Sequence, residues 1–361
     1  MMPGRGYHFG VELEVIAQPR TVRHPLVHSV YYEKLASSLR ARGVRADADN
    51  LEGGYRKHPE HYNNKWWITK DGSLGNPNHP LIPLEAVSPI FSTTSDWESA
   101  ISTFWRGFDR VFHMLVPSSL CGSHIHVSPQ PAQQFSLSEL HALAFGVVHY
   151  ESHVRNLLPE DRKHNRYCRL NTEHSKALLR VRNLVCRRSR SRHVWMEIED
   201  IDDLGELKEF MQAGDGQMKN RYVLWNFDNI VQPGGSGSVE FRGAKGLRGP
   251  VRTNMWIAFV TAFVHLCLNQ GFHTWDKDDF ADPDMTVFWE GILVAAKAIG
   301  VREHLPAWWQ VMPELISDDA FEEEAGQDPS FIITADLDPL VPYYGTISIV
   351  GSLEGEVVIR F

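Results

Sequence analysis

The segment Phe9-Gly10-Val11-Glu12-Leu13-Glu14-Val15 alternates apolar residues with two glutamates. Because successive side chains of a strand point to opposite faces, the apolar residues are expected on one face and Glu12 and Glu14 on the other. Two carboxylates held together beside a packed core repel each other, so they need a cation or a basic partner between them. A divalent metal is one such partner. The alternative is a half-buried strand whose acidic face lies in water.

Three further strand-like segments interrupt an apolar pattern with ionisable residues. In two of them the ionisable residues stand at positions i and i+2, so each pair shares one face of its strand. If all four strands are neighbours in one curved sheet, a single concave face collects four glutamates, two histidines and an arginine. The three segments are Leu84–Ser88 with Glu85, His124–Val127 with His124 and His126, and Val239–Arg242 with Glu240 and Arg242.

Carboxylate oxygens dominate this set, and hard oxygen ligands suit Mg²⁺ or Mn²⁺, whereas zinc more often recruits several His or Cys ligands. Arg242 stands two residues after Glu240. An arginine beside a metal-ligating carboxylate is typical of a site that holds a phosphate or a developing negative charge. The four segments together therefore indicate a magnesium or manganese site that holds a phosphate or a developing negative charge.

The composition limits the class of protein. The chain has 361 residues, of which 43% are hydrophobic and 22% charged, as in soluble globular proteins. Its net charge of −9 argues against a general nucleic-acid binder or a protein of anionic membranes, so neither partner is expected. The N-terminus lacks the apolar segment of a signal peptide, and the run Met255–Leu268 is too short to cross a bilayer. The four cysteines are scattered and include no Cys-x-x-Cys pair, so we expect a reduced, cytoplasmic protein.

Hydrophobic periodicity predicts several helices, and the firmest of them runs from Asp96 to about Val116 behind a Ser95-x-x-Glu98 capping box. Asp47–Asn64 and Arg162–Arg192 are predicted as surface loops, the second ending in a mobile basic run, Arg187–Arg192, that attracts acidic substrates. No break in composition marks a boundary, so residues 1–361 are predicted to form one α+β domain with loop insertions. The remaining predicted helices are Tyr31–Arg42, Ser136 to about Leu158, Leu204–Ala213, Val251–Asn269 and Thr286–Gly300, followed by an acidic loop at 318–328 and a β-like tail to Phe361.

The four segments, in their order along the chain, resemble the signature of the amidoligase family, the carboxylate-amine ligases related to glutamine synthetase and glutamate-cysteine ligase. The matching sequences are Gly10-Val11-Glu12-Leu13-Glu14, Glu85-Ala86-Val87-Ser88-Pro89, Gly122-Ser123-His124-Ile125-His126-Val127 and Glu240-Phe241-Arg242. The resemblance covers about residues 8–250, and residues 251–361 form a helical and β-like extension.

The resemblance implies a curved antiparallel sheet that forms a funnel flanked by helices. ATP would enter one end of this funnel, and the carboxylate and amine substrates the other. It implies that the carboxylate of a small molecule or peptide attacks the γ-phosphate of ATP to give an acyl phosphate, from which an amine displaces phosphate. Two or three Mg²⁺ or Mn²⁺ ions would neutralise the phosphates.

The resemblance also implies roles for individual residues. Glu14, Asp71 and Glu85 are expected to bind one metal, and Glu12, His124 and Glu240 another. His126 is expected near the ATP phosphates and Arg242 at the transferred phosphoryl group, so that Arg242, Glu240 and His126 form the catalytic set. Arg221 and Arg166 are further expected contacts to the anionic nucleotide.

Alternatives remain at this stage. Asp71 is also favoured at an Asp-Gly turn for backbone reasons alone, and one of the two histidines could hold a ligand rather than bind metal. A metal-dependent hydrolase could use the same carboxylates with a histidine base, and a non-catalytic nucleotide-binding module could retain the same ligands. A nucleic-acid-binding protein would depend on Arg187–Arg192, but a charge run is usually a solvated face.

Overall fold

The computed structural model describes residues 6–52, 64–115, 118–131, 134–184, 187–216, 218–231, 236–270 and 284–312. Within these residues nine strands form one mostly antiparallel sheet and eleven α-helices surround it, which confirms the predicted α+β class. The strands are β1 (Tyr7–Pro19), β2 (Ala46–Ala48), β3 (Trp66–Thr69), β4 (Ile82–Val87), β5 (Phe91–Ser92), β6 (Phe112–Leu115), β7 (Gly122–Pro129), β8 (Trp225–Asn226) and β9 (Val239–Lys245).

The long strand β1 is the centre of the sheet. The strand order is β2-β3-β4-β1-β7-β9-β8, and β5 and β6 pair with the two ends of β1. The four segments with ionisable residues are therefore adjacent, as β4, β1, β7 and β9, which meets the condition for one shared face. All pairs are antiparallel except β2 with β3. The funnel shape that the resemblance implies stays a prediction, as does the single-domain organisation.

The helices vary from single turns to a 22-residue core helix. They are α1 (His28–Arg40), α2 (Trp97–Phe108), α3 (Leu137–His149), α4 (Glu151–Leu157), α5 (Glu160–Lys163), α6 (Asn171–His174), α7 (Lys176–Leu184), α8 (Arg187–Glu199), α9 (Leu204–Gln212), α10 (Gly249–Gln270) and α11 (Met285–Ala298), with short 3₁₀ turns at Gly72–Leu74, Asp228–Ile230 and Arg302–His304.

The helix α10 packs against the apolar face of the sheet. Trp256 stacks on Phe241 of β9, and Phe263 stacks on Trp225 of β8, with ring centroids 5.5 and 4.7 Å apart. By length and composition α10 could cross a membrane, but 89% of its most apolar window is buried in the protein, as in a core helix. Because alternate residues of β9 face opposite ways, the packing of Phe241 on α10 turns Glu240 and Arg242 to the other face.

The prediction of a helix from Asp96 to about Val116 is wrong after Phe108. Asp96, rather than Ser95, caps α2, because its side chain accepts the Ser99 N–H at 3.4 Å. The helix ends at Phe108, and the next apolar residues form β6, which pairs with the end of β1. The amphipathic pattern continues through both elements, so periodicity alone did not separate them.

The predicted loop Arg162–Arg192 is also wrong, because most of it is helical. Its basic end belongs to α8, whose buried Val194, Trp195 and Ile198 form an apolar stripe after the arginines. Ser136 forms the predicted capping box with Glu139, but the helix there ends at His149 and α4 follows. The predicted loop Asp47–Asn64 begins in β2, and residues 53–63 lie outside the described residues, as do the acidic loop at 318–328 and the tail after it.

Candidate active site

The register of the sheet brings the ionisable residues of four strands together. Glu12 lies opposite His124, Glu14 opposite Glu85, and His126 opposite Glu240. Directly paired residues of neighbouring strands point to the same face, so these side chains converge on the face opposite α10. The convergence that the alternation predicted is therefore present.

Arg242 joins this face through a bulge in β9. Ile125 pairs with Phe241 and Ser123 with Ala244, so His124 alone lies opposite two residues, Arg242 and Gly243. A bulge of this kind re-aims side chains without ending the pairing. The Arg242 guanidinium consequently reaches Glu240, with 2.5 Å between Nη1 and Oε1.

Glu12, His126 and Glu240 form the first of two groups on this face that could hold a metal. Each offers one ligand atom, and these atoms lie within 4.8 Å of one another. His126 Nε2 lies 3.1 Å from Glu12 Oε1, while its Nδ1 lies 3.3 Å from Asn229 Nδ2. Asn226 donates to Glu240 Oε2 at 2.7 Å, which fixes that carboxylate.

His124 lies between the two groups. Its Nδ1 is 2.9 Å from Glu12 Oε2 and 3.2 Å from Glu240 Oε1, and its Nε2 is 3.7 Å from Glu14 Oε1. Both histidines therefore lie close to the Glu12 and Glu240 carboxylates, since His126 Nε2 is 3.1 Å from Glu12 and 4.0 Å from Glu240. The metal role of either histidine stays a prediction.

Glu14, Asp71 and Glu85 form the second group, with the membership that was predicted, and their ligand atoms also lie within 4.8 Å of one another. Asp71 additionally accepts the Ser73 N–H at 2.5 Å, so it has both the turn role and a place at the site. Glu14 Oε2 accepts the backbone N–H of Gly122 at 3.1 Å. A Cβ at Gly122 would lie 3.0 Å from that oxygen, so a larger residue there would force the carboxylate to shift by a few tenths of an ångström.

The two groups differ in electrostatics. Burial alone would raise the pKa of Glu240, but the Arg242 guanidinium, His126 and His124 outweigh it and lower the pKa to about 2. Burial also acts to raise the pKa of Glu12, but the two neighbouring histidines, His126 and His124, hold this pKa well below the usual value. In contrast, burial raises the pKa of Glu14 because its positive neighbours only partly offset the desolvation.

Sequence reasoning missed Arg162, which is 2% exposed and lies on the short helix α5. Its Nη2 donates to the Arg242 carbonyl at 2.6 Å, and it also packs against Gly122 beside Glu14. A single arginine in a polar segment carries no local signal, so only the fold identifies it.

A cavity of about 740 Å³ opens on the second group. Arg221 lines this cavity, but Arg166 does not; it lies over the Tyr167 ring at 4.7 Å instead. His126 and Glu240 do not line the cavity either. The lining comprises acidic residues (Glu12, Glu14, Asp71, Glu85), basic or imidazole residues (Lys70, His124, Arg162, Lys219, Arg221, Arg242), two tyrosines (Tyr167, Tyr222) and Leu51, Gly72, Ser73, Val87 and Leu120.

The donor set fits divalent cations. Five clustered carboxylates (Glu12, Glu14, Asp71, Glu85, Glu240) face two buried arginines (Arg162, Arg242), so carboxylates outnumber buried cations when the histidines are neutral. The remaining cations of the cavity, Lys70, Lys219 and Arg221, are less buried. The raised pKa of Glu14 has the same origin, since burial of this carboxylate is not matched by enough positive charge. Oxygen-rich groups of this kind suit Mg²⁺ or Mn²⁺.

Comparison with known families adds an independent finding. A family model described as "putative amidoligase enzyme" matches residues 5–264, a range that includes all nine strands of the described sheet and every residue of the two groups. No curated protein matches the chain.

Proposed function

We propose a function that proceeds from one premise: this chain belongs to the amidoligase family, which indicates an enzyme of the ligase type. The proposed activity is ATP-dependent formation of an amide bond between a carboxylate and an amine. The carboxylate oxygen attacks the γ-phosphorus of ATP and ADP leaves, which gives an acyl phosphate. The amine then attacks the acyl carbon, phosphate leaves, and the amine gives up a proton.

Each group of ligands has a proposed task. Glu12, His126 and Glu240 would hold a divalent cation at the nucleotide, and Glu14, Asp71 and Glu85 a second one at the other substrate. Such ions supply charge neutralisation for the phosphates and align the in-line displacement. His124 holds the Glu12 and Glu240 carboxylates from between them, at 2.9 and 3.2 Å.

Arg242 is proposed to stabilise the transferred phosphoryl group. It is 7% exposed, so its guanidinium acts where water screens charge little. The Glu240 carboxylate and the Tyr167 carbonyl, which accepts from Nε at 3.2 Å, fix its orientation. An arginine held in this way needs little rearrangement when negative charge develops on the phosphoryl oxygens.

The observation that carries the proposal is the convergence of both metal groups and a buried arginine on one face of the sheet. Neighbouring metal sites separated by one histidine suit phosphoryl transfer, in which attacking and leaving oxygens both need charge stabilisation. A proposed reduced, cytoplasmic setting would supply Mg²⁺ and ATP together.

The test measures release of ADP and phosphate by the purified full chain with Mg²⁺, ATP and panels of carboxylates and amines. Glu12→Gln keeps the shape of the side chain but removes its charge, and turnover is expected to fall by about 100-fold or more. Glu33→Gln, an exposed glutamate that pairs with Arg40, is the matched control and should keep wild-type turnover.

The outcomes separate the candidate functions. Turnover that Glu12→Gln leaves unchanged would contradict the proposed site. Bond cleavage that needs the metal but not ATP would identify a hydrolase that uses the same carboxylates. Binding of ATP without turnover of any pair would favour a nucleotide-binding module.

A further inference from the structure

Two tyrosines and two cations form one wall of the cavity, a cation–tyrosine rim that consists of Tyr167, Lys219, Arg221 and Tyr222. The rim comes from two segments that are hydrogen-bonded to each other: Arg169 N donates to the Tyr222 carbonyl at 3.3 Å, and Leu224 N to the Arg169 carbonyl at 2.6 Å. Tyr167 and Tyr222 pack edge to face with ring centroids 5.0 Å apart. The backbone pairing therefore fixes the position of the rim.

Three cations surround the Tyr222 ring. Lys219 Nζ and Arg221 Cζ each lie 5.7 Å from its centroid, and Arg242 Cζ lies 5.9 Å away. Cation–π contacts orient such groups without neutralising them. The rim thus continues outward from the buried Arg242 to exposed cations at the mouth of the cavity.

Lys219 and Arg221 also lack anionic partners among the described residues, since neither forms an ion pair with a carboxylate there. Several other cations of this acidic chain do have such partners, for example Lys65 with Asp47 and Arg180 with Glu197. Exposed cations without one in the described part of the chain also occur, such as Arg106, but Lys219 and Arg221 differ from Arg106 in lining a cavity. Two uncompensated cations on one wall of a cavity favour an anion in that cavity.

The cavity that contains the rim lies mainly at the second of the two groups of ligands. His126 lies opposite Gly10 in the register of β1, whereas Glu85 lies opposite Glu14, so the two metal groups are displaced along β1. All three members of the second group line the cavity with the rim, whereas of the first group Glu12 lines it and His126 and Glu240 do not. On the proposed function, this end receives the carboxylate substrate.

We propose that the carboxylate substrate carries a second anionic group, and that Lys219 and Arg221 bind this group while the first carboxylate is activated near Arg242. This inference rests on the proposed function and specifies its substrate class as di- or polyanionic acids. The tyrosine rings would pack against the carbon chain between the two anionic groups, while Leu51, Val87 and Leu120 supply apolar surface in the same cavity.

The test compares two probes of matched shape, glutarate and its monoamide glutaramate, by titration calorimetry on the full chain in Mg²⁺ without ATP. Glutarate is expected to bind about tenfold more tightly than glutaramate or better, as one charge-assisted contact allows. The double variant Lys219→Ala/Arg221→Ala should lose this difference. Arg106→Ala removes an exposed arginine that donates to Thr103, and it should retain the difference.

Three results would overturn the inference: equal binding of the two acids, no detectable binding of either at millimolar concentration, or a difference that survives in the double variant. A fourth is a double variant that weakens binding of a non-hydrolysable ATP analogue about tenfold, since the rim would then be a nucleotide contact. Failure of the proposed function has its own readout, because the glutarate preference is measured without ATP or turnover.

Discussion

Replacement of Arg242 by glutamine should destabilise the metal-free protein by about 3 kcal/mol at pH 7. Arg242 is the largest favourable influence on Glu240, whose pKa it helps to lower from 4.5 to about 2. His126 and His124 share in this lowering and burial opposes it, so the pKa gives the direction of the effect. The expected size follows from other proteins, in which removal of one partner from a buried ion pair costs about 3–5 kcal/mol.

The pH dependence of this effect follows from its sign. A carboxyl group whose folded pKa is lowered stabilises the protein above its unfolded pKa, near 4.5, and loses that contribution as the pH falls toward 2. Wild type and Arg242→Gln should therefore differ most at neutral pH, and the difference should narrow progressively below about pH 4.5. Lost packing alone would produce a difference independent of pH.

The assay is urea denaturation of both proteins with a chelator present, at pH 7 and at two acidic values where both still fold. Arg106→Gln is the control for loss of an exposed arginine and should change the free energy of unfolding by less than about 0.5 kcal/mol. The charge argument is refuted if Arg242→Gln costs less than about 1 kcal/mol at pH 7, or if its cost is equal at every pH tested.

Three further outcomes are expected. Burial raises the folded pKa of Glu151 to about 7 despite its hydrogen bonds from Thr172, so wild-type stability should fall as the pH rises from 4.5 to 7. Glu151→Gln should remove about 2–3 kcal/mol of that fall between pH 5 and 8 in urea denaturation, and an unchanged slope would contradict the assignment. Gly122→Ala places a Cβ 3.0 Å from Glu14 Oε2 and should weaken Mn²⁺ binding about tenfold by calorimetry, whereas unaltered affinity would mean that Glu14 is not a ligand. At a free Mg²⁺ concentration about 100-fold above the Kd of each site, addition of EDTA should lower the free energy of unfolding by about 2.7 kcal/mol per site. The loss in Glu12→Gln should therefore be about 2.7 kcal/mol smaller than in wild type and in Glu33→Gln, and an equal loss in all three would place the metal elsewhere.

Alternation in short strands was enough to predict the centre of the site. Glu12 with Glu14, and His124 with His126, share faces because the period of a strand is two, and this holds whatever the tertiary structure. That the four strands are neighbours needed more than a local pattern, and it was the resemblance in segment order that suggested it. Which of the two histidines completes the first group stays a prediction, because both lie close to Glu12 and Glu240.

The errors in the fold have a common physical cause. The segment after Phe108 keeps an apolar pattern but gains backbone partners on the end of β1, and those long-range hydrogen bonds decide its conformation. The arginines of α8 were read as a loop because of their charge, yet arginine favours helices and the stripe at Val194, Trp195 and Ile198 anchors the element. Local sequence patterns fail for Arg162 for the same reason, because its hydrogen-bond partner, Arg242, lies 80 positions away in the chain.

The strand β1 is hydrogen-bonded on both edges to four other strands, and Glu12 and Glu14 stand in its middle. Deletion of a single residue just before Glu12 would exchange its inward and outward sides, so that valine and leucine would occupy the ligand places and the carboxylates would enter the core. The strand thus fixes the spacing of the ligands, and this spacing tolerates no insertion. Side chains at the mouth of the cavity, in contrast, can change to fit other substrates without altering that spacing.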